Sequence, residues 1–165
     1  SISKLPETKK NMCFSIACAS FCFLIWLLFI VVSIAAFGPA AIFSKTGGLY
    51  VLNSLVFGLI AITISLIVGS FRLNENVISL IANIVALGMA FLCGVFVPQN
   101  YLGSNVLSAS KFLPAYWYVK NVNMLAGSCG EVFSESSYWN HLGIEALFLA
   151  ALFCVYLVVV RRKRA

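Results

Sequence analysis

Residues 12 to 37 read MCFSIACASFCFLIWLLFIVVSIAAF, an apolar run without a single charge. As a helix it rises about 39 Å at 1.5 Å per residue, enough to cross a hydrocarbon core of about 30 Å with some tilt. Gly38-Pro39 closes it, because proline cannot continue the hydrogen-bond ladder. Three further runs repeat the pattern: Leu49 to Phe71, broken by Arg72-Leu73-Asn74-Glu75-Asn76; Val77 to Pro98; and His141 to Val160, stopped by Arg161-Arg162-Lys163-Arg164. The chain therefore reads as an all-α polytopic membrane bundle of four transmembrane helices, with a shorter helix pair before the last.

Composition agrees. The apolar share is 62% and the charged share 10%, against about 45–50% and 25% in soluble domains. Disorder is excluded by the abundance of Phe, Leu, Ile and Val. The net charge of +6 does not point to nucleic acid, because a binder would gather its basic residues on one polar face. Here they flank apolar runs and act as topology signals. Of eleven Lys and Arg residues, Lys4, Lys9, Lys10, Arg72, Arg161, Arg162, Lys163 and Arg164 share one side when both termini are placed in the cytoplasm. Only Lys45, Lys111 and Lys120 fall outside, so a cell-membrane protein with both ends cytoplasmic is expected.

On that topology residues 99 to 140 lie on the outer face. They are too polar to span and too apolar for a plain loop. Leu102, Val106, Leu107, Phe112 and Leu113 form a rough helical stripe opposite Ser104, Asn105, Ser108 and Lys111. Pro114 suits the first turn of a second helix over Ala115 to Leu125, which carries the interface-seeking Tyr116, Trp117 and Tyr118. A helix pair over 102 to 126 is too short for each member to span. It either re-enters the membrane, buried against other helices, or lies flat as an amphipathic pair.

Several chemistries are missing. Cys13, Cys18, Cys22, Cys93 and Cys154 sit in apolar runs as small hydrophobes. Cys129 has no partner in its own loop, and no C-x-x-C pair suggests a disulfide scaffold or a zinc site. No P-loop occurs around Gly47-Gly48. There is one His and no cluster with metal-ligand spacing, nor a G-x-S-x-G elbow. A membrane enzyme and a channel with charged rings or filter carbonyls are both disfavoured. No signal peptide is visible, and the opening Ser suggests the C-terminal piece of a longer protein. Inside the spans, Asn53, Asn83 and Glu145 are the candidate intramembrane polar contacts. The two Asn residues suit interhelical hydrogen bonds. Glu145, about one turn into the last run, is expected to reach water or pair with His141 at i−4; a role in a transport path is the other reading.

Ala90-Phe91-Leu92-Cys93-Gly94-Val95-Phe96-Val97-Pro98, running into Phe112-Leu113-Pro114-Ala115-Tyr116-Trp117, resembles the permease subunits of ABC-2 type exporters. In that family a span exits through Gly-hydrophobic-Phe-x-Pro, passes a short outer helix, and reaches a Leu-Pro-x-x-aromatic step before the last span. Gly94, Phe96, Pro98, Leu113, Pro114 and Trp117 stand at the matching places and would form an outer gate. Lys4, Leu5, Pro6, Glu7, Lys9 and Lys10 look like the family's ATPase-coupling segment, within a cytoplasmic stretch 1–11. A transmembrane domain over 12–160 and a basic tail over 161–165 complete the division. The likeness covers the last four of six family spans. It implies a transporter subunit rather than an enzyme, paired with a second permease subunit and a cytoplasmic ATP-binding cassette subunit. ATP and Mg would sit on that partner, with no cofactor in this chain, no nucleic acid, and lipid as the surrounding solvent. A four-span scaffold or assembly protein without transport activity is the alternative.

Overall fold

Helix α1, Glu7–Phe37, runs five residues further toward the N-terminus than the apolar stretch that announces it. In the computed structural model, which describes residues 7–71 and 73–162, there follow α2 (Pro39–Ile42), α3 (Lys45–Ser70), α4 (Glu75–Leu92), a 3-10 turn at Gln99–Tyr101, α5 (Ser104–Ser110), α6 (Pro114–Ala126) and α7 (Glu135–Arg162). No strand occurs among the described residues. Helices α3, α4 and α7 and the Ser15–Phe37 stretch of α1 are long and apolar enough to cross a membrane. The fold class is the expected all-α bundle.

Local chemistry sets the ends. Ser44 starts α3, its hydroxyl accepting the Gly47 N–H at 3.0 Å, and Asn74 does the same for α4 toward Val77 N–H at 2.9 Å. Each satisfies one of the donors that a helix start leaves without an intrahelical partner. Pro114 occupies the first turn of α6, as its spacing predicts. Gly127, at φ 61, ends that helix in the left-handed region. The Ser128 N–H returns to Asn123 O at 2.9 Å there, the closing bond of a Schellman-type cap.

Boundaries differ from the apolar runs in two instructive places. The third run was expected to reach Pro98, but α4 stops at Leu92. The last was expected to begin at His141, but α7 already starts at Glu135. Apolarity marks the residues lipid tolerates, whereas a helix continues for as long as its backbone ladder does.

The short α4 has a consequence for the whole bundle. At 1.5 Å per residue α3 is about 39 Å long and α4 about 27 Å, so α4 ends roughly 12 Å short of the level where α3 begins. That height is filled by the α5–α6 pair. Along the α3–α6 seam Phe57 stacks on Tyr118 with ring centroids 4.6 Å apart. Asn53 bonds Tyr118 O at 3.2 Å, Tyr50 bonds Val122 O at 3.3 Å, and Leu49 and Leu52 pack on the Met124 cluster. Residue numbers fall on one helix as they rise on the other, so α6 stands antiparallel along α3. One member of the pair, α6, is thus packed lengthwise into the bundle, while most of α5 and of the connections on either side of the pair stay exposed.

Two apolar clusters form the core. Cys93, Ala115 and Tyr116 pack with Phe57, Met89, Leu107, Leu113 and Trp117. Met124, Tyr138 and Leu142 pack with Leu49, Leu52, Val56 and Leu125. Helix α1 joins this core through Trp26 Nε1, which donates to Ser54 Oγ at 3.0 Å, and through a Ser15–Tyr156 hydroxyl pair at 3.0 Å.

Candidate functional site

The third run breaks at a backbone conformation that only glycine takes without strain. Gly94 has φ 98, and a Cβ there would come within 2.5 Å of Gln99 Cγ. The N–H groups of Val95 and Phe96 both turn back to Ala90 O, at 3.0 and 3.3 Å. The turn brings Gln99 inward, where it is buried. Its Nε2 donates to Cys93 O at 2.9 Å and reaches Tyr116 O at 3.4 Å. One carboxamide thus ties the end of α4 to the first turns of α6.

The six residues of the expected outer gate are divided by this arrangement. Gly94 makes the turn, Leu113 precedes α6, and Pro114 is buried at its start. Trp117 Nε1 donates to Lys111 O at 3.0 Å, and its ring centroid lies 5.2 Å from that of His141. Phe96 and Pro98 lie outside this knot. Phe96 is 58% exposed and touches only the ring of Phe91, at 4.9 Å, among the aromatic groups. Gln99 escaped the sequence reading, although the Gln99-Asn100 amide pair at the close of an apolar run was a usable signal.

Deeper along α6 lies a second constellation. Asn53 on α3 and Asn121 on α6 are both fully buried. Asn121 Nδ2 donates to Asn53 Oδ1 at 3.1 Å, while Asn53 Nδ2 donates to Tyr118 O. Asn121 Oδ1 then meets His141 Nδ1 of α7 at 3.0 Å. Since Oδ1 can only accept, Nδ1 carries the proton in this arrangement. Tyr138 donates to Leu49 O at 2.8 Å one level higher. Three helices are thus pinned by one polar chain.

Of the three intramembrane polar candidates, Asn53 makes the interhelical bonds expected of it. Asn83 does not: it sits on the exposed side of α4 and no hydrogen bond reaches it among the described residues. Glu145 corrects its expectation more sharply. It is fully buried, and neither carboxyl oxygen has a hydrogen-bond partner among the described residues. It lies about 15 Å along α7 from Glu135, not one turn from the helix end. His141 does not pair with it; the Nδ1 of the imidazole meets Asn121 instead.

Of the coupling segment, Lys4, Leu5 and Pro6 lie outside the described residues, and Glu7, Lys9 and Lys10 fall in the first turn of α1. The bundle also has open seams. A cavity of about 420 Å³ between α1, α3 and α6 is lined by Trp26, Phe29, Tyr50, Ser54 and Tyr118 among others. Another of about 470 Å³ separates α3 from α4, with Ala61, Ser65 and Gly69 on one wall and Ile78, Val85 and Met89 on the other. No group of three His, Cys, Asp or Glu side chains suited to a metal occurs among the described residues. Compared with protein-family models, curated proteins and solved structures, the chain matches none.

Proposed function

We propose that the chain is the transmembrane permease portion of an ATP-driven exporter of the ABC-2 type. Its helices would line part of a substrate path while a separate cytoplasmic ATPase subunit, carrying ATP and Mg, supplies the energy. The reading rests on one observation above all. A helix pair stands between the third and last long apolar helices with α6 packed along α3, and Gln99 joins the Gly94 turn to the first turns of α6. A scaffold needs no such device, because four spans pack without a helix pair filling one end. Two features agree with a moving path: the polar chain from Asn53 to His141 along α6, and the open seams beside α1 and α4.

Under this reading both termini face the cytoplasm of the cell membrane, and residues 4 to 10 dock the ATPase. A second permease subunit completes the path. Purification of the chain in mild detergent should bring down a P-loop ATPase, and scrambling residues 4–10 should abolish that association while the bundle stays folded. Association that survives the scramble removes the docking assignment. Absence of any ATPase partner, with full membrane assembly, favours the scaffold instead.

A further inference from the structure

Glu145 is a cost that nothing described so far explains. A carboxylate without donors, removed from water, is among the most expensive groups a protein can hold. Here both oxygens are shielded and unbonded. None of the polar groups around it bonds either oxygen. From α6, Tyr118 faces it, yet neither carboxyl oxygen has a hydrogen bond from the Tyr118 hydroxyl. On its own helix Tyr138 faces it, but the hydroxyl donates to Leu49 O, and His141 turns its Nδ1 to Asn121. From α3, Asn53 turns its amide to Tyr118 O and Asn121, and Tyr50 bonds Val122 O. Lys120, the basic residue of α6, turns to Glu131 at 3.6 Å.

We propose that the α3–α6–α7 junction is a proton-binding site, with Glu145 as the group that carries the proton while α6 covers it. A metal or alkali cation fits poorly, since it needs several oxygen ligands and the carbonyls of Leu49, Tyr118 and Val122 are each already accepting a hydrogen bond. A proton needs none: it removes the charge in place. The site is built by the docking of α6, so moving α6 aside admits water and lets the carboxyl ionise. The covered state therefore holds one proton more than the uncovered state, and rising pH shifts the balance toward the uncovered one.

Infrared spectroscopy of the purified chain in lipid vesicles tests it directly. At neutral pH the wild type should show the C=O stretch of a protonated carboxylic acid. That band should be lost in Glu145→Gln, persist in Glu131→Gln and Glu135→Gln, and fade as the pH is raised. A wild-type spectrum holding carboxylate bands alone overturns the proposal without any variant. So does an acid band that survives in Glu145→Gln. Should that variant fail to fold, amide hydrogen exchange in wild-type α6 decides. Protection of residues 115–125 must fall with pH more steeply than in the exposed part of α4, and equal slopes overturn the proposal.

Discussion

Helices α4 and α6 lie side by side, yet they hold their places by different means. Along α6, Pro114, Ala115, Tyr116, Val119, Asn121 and Met124 are buried. Along α4 no residue is, and Leu80, Ile84, Leu87 and Phe91 form a stripe that stays open. The apolar helix is thus the peripheral one, and the more polar helix is the core. In water the opposite would hold. Lipid tails compete with apolar side chains on equal terms, so packing detail and hydrogen bonds decide which helices stay together. The Asn53–Asn121–His141 chain supplies such bonds to α6, and Asn83 supplies none to α4.

The contrast can be broken most severely at its centre. Asn121→Ala strips partners from Asn53 and His141 at once, and unmade buried hydrogen bonds cost about 1–3 kcal/mol each. A loss of about 3 kcal/mol is expected in unfolding from mixed micelles. A loss under about 0.5 kcal/mol, the range of an ordinary surface change, would mean that α6 is held by shape alone.

Next comes the turn that brings the two helices together. Gly94→Ala forces a side chain into a left-handed backbone and against Gln99. Strain of this kind costs about 1–3 kcal/mol. The expected signature is selective: faster hydrogen exchange at Gln99 and in the first turns of α6, with α1 unchanged. Uniform loosening of all helices would contradict the localised role of the turn.

Asn83→Ala should do least, within about 0.5 kcal/mol in the isolated chain. Its value lies in the comparison with Asn121→Ala. A large effect on the assembled complex, absent from the isolated chain, would show that a partner covers the α4 stripe.

Much of this was legible beforehand. Apolar length located the four helices able to cross a membrane, and Pro114 at the head of α6 followed from proline's fitness for a first helical turn. Asn53 was recognisable as a candidate polar contact because a mid-span amide gains from a partner, but the same signal named Asn83, which makes no side-chain bond among the described residues. The partners of Asn53 were not recognisable. Asn121 lies in a stretch that reads as interfacial, and Gln99 follows a proline in what looks like a span's end. Glu145 was misjudged for the same reason: its depth was counted from the first apolar residue, whereas α7 begins six residues earlier and α6 then closes over it.

What the amino-acid order settled alone is the all-α class, the four helices long and apolar enough to cross a membrane, and local stops such as Gly38-Pro39. These follow from hydropathy, charge and backbone chemistry, which act within a few residues. The docking of α6, the junction of three helices and the burial of Glu145 were decided only in three dimensions. Apolar residues look alike in sequence whether they face lipid or protein, and only packing tells them apart.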